Sequence, residues 1–77
     1  MLLVGNERGV RVEVLKKLLD KHNRTIATHR GAEYSYLSRP EDIKSSMSYE
    51  VNIYELTLVQ INYFIDRLEN ENYTHHN

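Results

Sequence analysis

The stretch from Thr57 to Leu68 constrains this chain most. Leu58, Ile61, Phe64, Ile65 and Leu68 recur at three- and four-residue spacing, which is one apolar stripe on a helix. Thr57 and Gln60 stand three apart just ahead of it, the pattern of a capping box. A helix over 58–71 is predicted, with residues 72–77 as a frayed tail. One stripe must be buried against another element, so the rest of the chain has to supply a second layer.

Residues 11–22 supply a second helix. Val14, Leu15, Leu18, Leu19 and His22 fall on one face, while Glu13, Lys16, Lys17, Asp20 and Lys21 fall on the other. Glu13 and Lys17 are four apart in the favourable order. Val10, Val12 and Val14 also alternate like a strand, and Arg11 interrupts an earlier stripe, so the helix is started at residue 11.

Between the helices the period changes to two. Residues 25–30 and 32–37 predict a hairpin around Arg30-Gly31, because Gly31 takes the positive φ of a tight turn. Ser38, Pro40 and Glu41 predict a short helix over 39–46, with Ser38 as its cap. Residues 49–56 alternate and are rich in β-formers, a third strand. The fold class expected is α+β: a small three-stranded antiparallel sheet with two main helices on one face, in the order α-β-β-short α-β-α. Residues 1–77 form one domain, and residues 1–5 add an edge strand or plug the core.

A two-residue turn at Arg30-Gly31 sets Ala27 opposite Tyr34 and Thr25 opposite Tyr36. Side chains alternate along a strand, so Thr25, Ala27, His29, Tyr34 and Tyr36 share one face. Ile26, Leu37, Val51 and Ile53 share the other and are the natural partners of the helix stripes. Two short helices cover one face of so small a sheet. Tyr34, Tyr36 and Tyr54 are therefore expected on the open face, where a rigid apolar ring with a polar tip suits a partner surface. A one-residue slip in register reverses the assignment and buries them. On the far side of the second helix, Val59 and Tyr63 make a small apolar patch suited to a weak homodimer. Flanking acidic groups oppose that contact at low salt.

Charge is uneven along the chain. Residues 1–40 carry eight basic and four acidic side chains, net +4, and residues 41–77 carry two and seven, net −5. Such polarity creates a binding field unless the two halves interleave in the fold. With 77 residues the chain buries roughly 60–65% of its unfolded surface, which leaves little stability to spare. It has no cysteine, which removes disulfides and thiolate zinc sites and points to a reducing, cytoplasmic setting. The opening MLLVG is too short for a signal peptide, and no run approaches the roughly 20 apolar residues of a membrane helix.

Catalytic chemistry is absent from the pattern. There is no glycine-rich phosphate loop, no HExxH and no nucleophile elbow. Glu41-Asp42 fits helix capping. His29 stands at a strand end with no visible partner for proton transfer. His75-His76 lies on the expected tail and is a weak metal candidate, so no metal site is assigned and no cofactor is implied. The run VLKKLLDKHNRTIATHRGAEYSYLSRP, followed by a strand and a helix, resembles the small HicA-type toxins over about half the chain. That resemblance implies a helix, three strands and a helix, related to the double-stranded-RNA-binding fold. It also implies RNA cleavage by a histidine just after a glycine at the start of the second strand. Gly31 stands at the glycine, but Ala32-Glu33 follows it, so the resemblance carries the topology and not the cleavage.

The expected function is therefore a non-enzymatic, intracellular interaction protein. It binds a larger protein partner and inhibits or modulates it, a phage-type inhibitor or accessory role. Tyr34, Tyr36, Tyr54, Val59 and Tyr63 form the expected contact surface. The alternative is an RNA-binding module in which Lys16, Lys17, Lys21 and Arg24 on the basic first helix contact phosphates. No membrane partner is expected.

Overall fold

A computed structural model describes residues 7–74, so the predicted role of residues 1–5 and the His75-His76 pair lie outside the described residues. The architecture is α+β. Helix α1 (Glu7–Lys21) leads to β1 (Thr25–His29) and β2 (Tyr36–Ser38). A single 3-10 turn (Pro40–Asp42) precedes β3 (Ser48–Glu50), and a second one (Ile53–Glu55) precedes α2 (Leu58–Thr74). The sheet is antiparallel with β1 central, in the order β2-β1-β3.

Both helices pack on one face of the sheet. Val12, Leu15 and Leu19 of α1 meet Ile61, Phe64, Ile65 and Leu68 of α2 over Ile26, with Leu56 closing the end. Leu37 and Val51 pack against this cluster from the sheet side, as the strand alternation predicts, and Ile53 joins them from the second 3-10 turn. Fully buried aliphatic side chains such as Leu15, Ile26, Ile61, Ile65 and Leu68 each contribute about 1.5–3 kcal/mol. They carry most of the stability of so short a chain.

Helix α1 begins four residues before the sequence-based start. Arg11, which argues for the later start, reaches across to α2 and donates to the Asn62 side-chain oxygen at 2.8 Å. Glu13 pairs with Lys16 at 3.6 Å, three residues on, and no Glu13–Lys17 ion pair forms among the described residues. The helix ends on Asn23, whose φ of 55° is left-handed. Asn23 N–H donates to Asp20 O and Arg24 N–H to Leu19 O, a Schellman-type stop. Arg24 then pairs with Glu71 at 2.6 Å, and His22 Nδ1 lies 3.9 Å from the same carboxylate, tying this corner to the end of α2.

The hairpin register differs from the expected one by two residues. Thr25 lies opposite Ser38, Ile26 opposite Leu37 and Ala27 opposite Tyr36. The turn itself is present: Ala32 N–H donates to His29 O, and Gly31 has φ 85°. Arg30, however, is not among the positive-φ residues, so the turn lacks the doubly left-handed form that matches strand twist. The arms splay, and residues 32–35 run unpaired before β2 begins. Thr28 Oγ1 donates to Tyr34 O at 2.6 Å and holds that excursion in place. A shift of two residues keeps every side chain on its expected face.

Three further expectations are corrected. The short helix over 39–46 is one 3-10 turn, because Ser38 belongs to β2 and its hydroxyl donates to Arg39 O instead of capping. The strand over 49–56 stops at Glu50. Val51 N–H still donates to Ile26 O, but Asn52 then accepts from Tyr54 N–H at 3.0 Å and bends the chain into the second 3-10 turn. Helix α2 runs to Thr74, so residues 72–74 of the expected tail continue the helix. Its predicted capping box is formed: Thr57 N–H donates to Gln60 Oε1 at 2.8 Å, and Gln60 N–H donates to Thr57 Oγ1 at 3.1 Å. Among the described residues no helix is long and apolar enough to cross a membrane.

Candidate functional site

The sheet face turned away from the helices is built by alternation in three strands. Thr25, Ala27 and His29 come from β1, Tyr36 and Ser38 from β2, and Ser48 and Glu50 from β3. Ala27 in the middle has no exposed surface. Its cross-strand neighbours Tyr36 and Glu50 are both taller than its methyl group and stand on either side of it. At one end Thr25 Oγ1 donates to the Glu50 carboxylate. At the other end the imidazole of His29 stacks on the Tyr36 ring, centroids 4.8 Å apart, and Tyr34 follows at 6.3 Å from Tyr36. The three rings make a short ladder. Tyr34 is 60% exposed and His29 is exposed, whereas Tyr36 is half-buried between them. Neither tyrosine hydroxyl has a hydrogen-bond partner among the described residues.

Tyr54 does not join this ladder. The 3-10 turn carries it to α1, where Lys16 Nζ donates to its hydroxyl at 3.1 Å and lies 5.6 Å from the ring centroid. Arg8 donates to the Tyr54 backbone oxygen. The Tyr54 hydroxyl, with help from Glu13, holds the Lys16 ammonium above the ordinary lysine range. The expected grouping of Tyr54 with Tyr34 and Tyr36 is corrected for one reason: β3 ends at Glu50, so period-two alternation does not reach residue 54.

Val59 and Tyr63 are exposed on α2, Val59 at 78%, and Tyr63 lines the same groove as Tyr36 of the ladder. Tyr63 packs edge-on to Phe64 at 5.3 Å, and the Arg67 guanidinium lies 5.9 Å from its ring. This patch therefore carries a cation as well as Asp66. The basic set divides. Lys16 is engaged by Glu13 and Tyr54, and Arg24 is paired with Glu71, which leaves Lys17 and Lys21 exposed without an ion pair among the described residues. Arg24 and Glu71 come from opposite halves of the chain, as do Arg11 and Asn62, so the two charged halves interleave.

The strand alternation places His29 on the same face as Tyr34 and Tyr36, and the structure adds that its ring stacks on Tyr36; two features were not assigned from sequence, that stacking contact being the first. The other is a groove of about 660 Å³ between the β2 edge and α2, lined among others by Ser35, Leu37, Tyr63, Phe64 and Arg67. Nothing in the strand pattern reveals it, because it depends on how far α2 stands from an edge strand. Comparison with protein-family models, curated proteins and solved structures finds no match.

Proposed function

We propose that this chain is a small protein-binding module that grips a larger partner through the His29–Tyr36–Tyr34 ladder and thereby inhibits or modulates it. The observation that carries this reading is the His29–Tyr36 stack, with Tyr34 tilted against it, on the sheet face opposite both helices. A half-buried Tyr36 fixes the geometry, and an exposed Tyr34 offers a ring face and a hydroxyl. Rigid amphipathic rings of this kind lose little side-chain freedom on binding and act as anchors in interfaces. The basic set of Lys16, Lys17, Lys21 and Arg24 is the weaker candidate, since two of the four already have partners within the fold.

Affinity capture from native host lysate, with and without nuclease, tests the proposal. Proteins retained by the wild-type chain after nuclease treatment, and lost with Tyr34→Ala, are the expected outcome. Capture that disappears with nuclease, or that persists undiminished in Tyr34→Ala, would contradict it.

A weak homodimer through Val59 and Tyr63 belongs to the same reading. Arg67 beside Tyr63 offsets part of the acidic repulsion, so the salt dependence is small. Light scattering over a concentration series is expected to show self-association that Tyr63→Glu removes. A 9.1 kDa monomer at every concentration would exclude it.

A further inference from the structure

The groove beside β2 has an unusual wall. Val51 N–H donates to Ile26 O, so the backbone polar groups of Ile26 point towards β3. Thr25 and Ala27 consequently point towards β2, where they face Ser38 and Tyr36. Leu37, opposite Ile26, is the member of β2 whose N–H and C=O turn away from the sheet. They open at the edge where the groove lies, and neither has a partner among the described residues. The opposite wall is α2, with the buried Phe64 and the exposed Tyr63 and Arg67. Arg67 forms no ion pair among the described residues; the Tyr63 ring is its one described contact. The other charged groups of the groove are Asp66 and the mutually paired Arg24 and Glu71.

We infer that this groove takes an extended peptide segment of the partner protein, added along β2 as a fourth strand. The inference rests on the protein-binding reading above and names the chemistry of what is bound. A strand edge free among the described residues calls for a second backbone about 4.8 Å away with donors and acceptors in step, which an extended chain supplies and a helix or nucleic acid does not. A volume of about 660 Å³ is that of a ligand cleft, not of a crevice. Alternation then assigns the side chains. One set lies on the ladder face, next to Tyr36. The other set enters the groove, where an apolar side chain covers Phe64 and Tyr63 and a neighbouring carboxylate meets Arg67. Asp66 disfavours a second acid. The segment is therefore extended, apolar on alternate positions, and singly acidic on its groove side.

Panning a random linear peptide library on phage against the whole chain supplies the probe: the most enriched peptide, made synthetically. Enriched peptides are expected to alternate and to carry one Asp or Glu. The decisive variant replaces the Tyr36–Leu37 amide with an ester by chemical synthesis, which deletes the outward N–H; it also weakens the Tyr36 carbonyl as an acceptor in the Ala27–Tyr36 pair, so the fold and register of the ester chain are checked by NMR before binding is read. Probe affinity is expected to fall roughly 3- to 10-fold in the ester and by a similar factor in Arg67→Gln. No enrichment, or unchanged affinity in the ester, overturns the inference. If the ester chain does not fold, nuclear Overhauser contacts between probe and Leu37 amide in the unmodified chain decide instead, and their absence overturns it. Tyr34→Ala separates the two readings. Binding lost in the ester but kept in Tyr34→Ala supports the groove against the ladder, and the reverse pattern supports the ladder against the groove.

Discussion

Two exposed aromatic regions of this molecule use similar residues differently. At Tyr54 a ring sits among cations, and the fold consumes them: Lys16 holds the hydroxyl, Arg8 the backbone oxygen. At Tyr34 and Tyr36 the Tyr36 ring stacks on His29 and the Tyr34 ring packs tilted against Tyr36, and their hydroxyls are left without partners among the described residues. Exposure alone does not distinguish the two, since Tyr54 and Tyr34 are about equally accessible. The difference lies in whether the polar tip is already satisfied. A satisfied tyrosine stabilises its own corner of the fold, and an unsatisfied one on a rigid ladder has hydrogen-bonding capacity left for a partner.

The sharpest way to break this comparison is to ask which rings hold the fold together. Phe64→Ala removes a core ring and is expected to cost about 3–5 kcal/mol in urea denaturation. Tyr36→Ala uncovers Ala27 and is expected to cost about 1–2 kcal/mol. Tyr34→Ala is expected to stay within about 0.5 kcal/mol of wild type. A loss at Tyr34 matching that at Phe64 would mean that the ladder is core, and its role as a contact surface would fall.

Two caps that look alike in sequence offer a smaller test. Thr57→Ala removes a formed capping box and is expected to cost about 1 kcal/mol. Ser38→Ala removes a hydroxyl that caps nothing and is expected to leave the midpoint unchanged. Equal losses would place a helix start at Ser38 after all.

These contrasts also show what was legible beforehand. Helix α2 was readable because its cap, stripe and partners are local or periodic. The sheet faces were readable because a two-residue shift preserves alternation: Ile26, Leu37 and Val51 face the helices in either register. The register itself was not readable, since it depends on the φ of Arg30 and on the long-range bonds that hold β1 to β3. The end of β3 turns on one side chain, Asn52, competing with the ladder for Tyr54 N–H. That single competition moved Tyr54 from the expected site to α1. The start of α1 was misplaced because Arg11 looks solvent-bound until Asn62 is brought opposite.

The smallest expected effect concerns the satisfied ring. Lys16 titrates above its ordinary value because the Tyr54 hydroxyl and Glu13 favour the charged ammonium. A cation raised in the folded state stabilises it at all lower pH, and that contribution fades as pH climbs through the raised value. Tyr54→Phe is expected to bring the Lys16 titration, followed by NMR of the side chain, down towards the ordinary lysine range. An unchanged titration would show that Glu13 alone sets it.

The most direct measurement places a photo-crosslinking benzoylphenylalanine at Tyr34 in one chain and at Tyr54 in another, and irradiates both in nuclease-treated host lysate. A discrete protein adduct from position 34, absent or much weaker from position 54, is the predicted result. Adducts of equal yield from both positions, or none from position 34, would contradict the assignment of the His29–Tyr36–Tyr34 ladder as the contact surface.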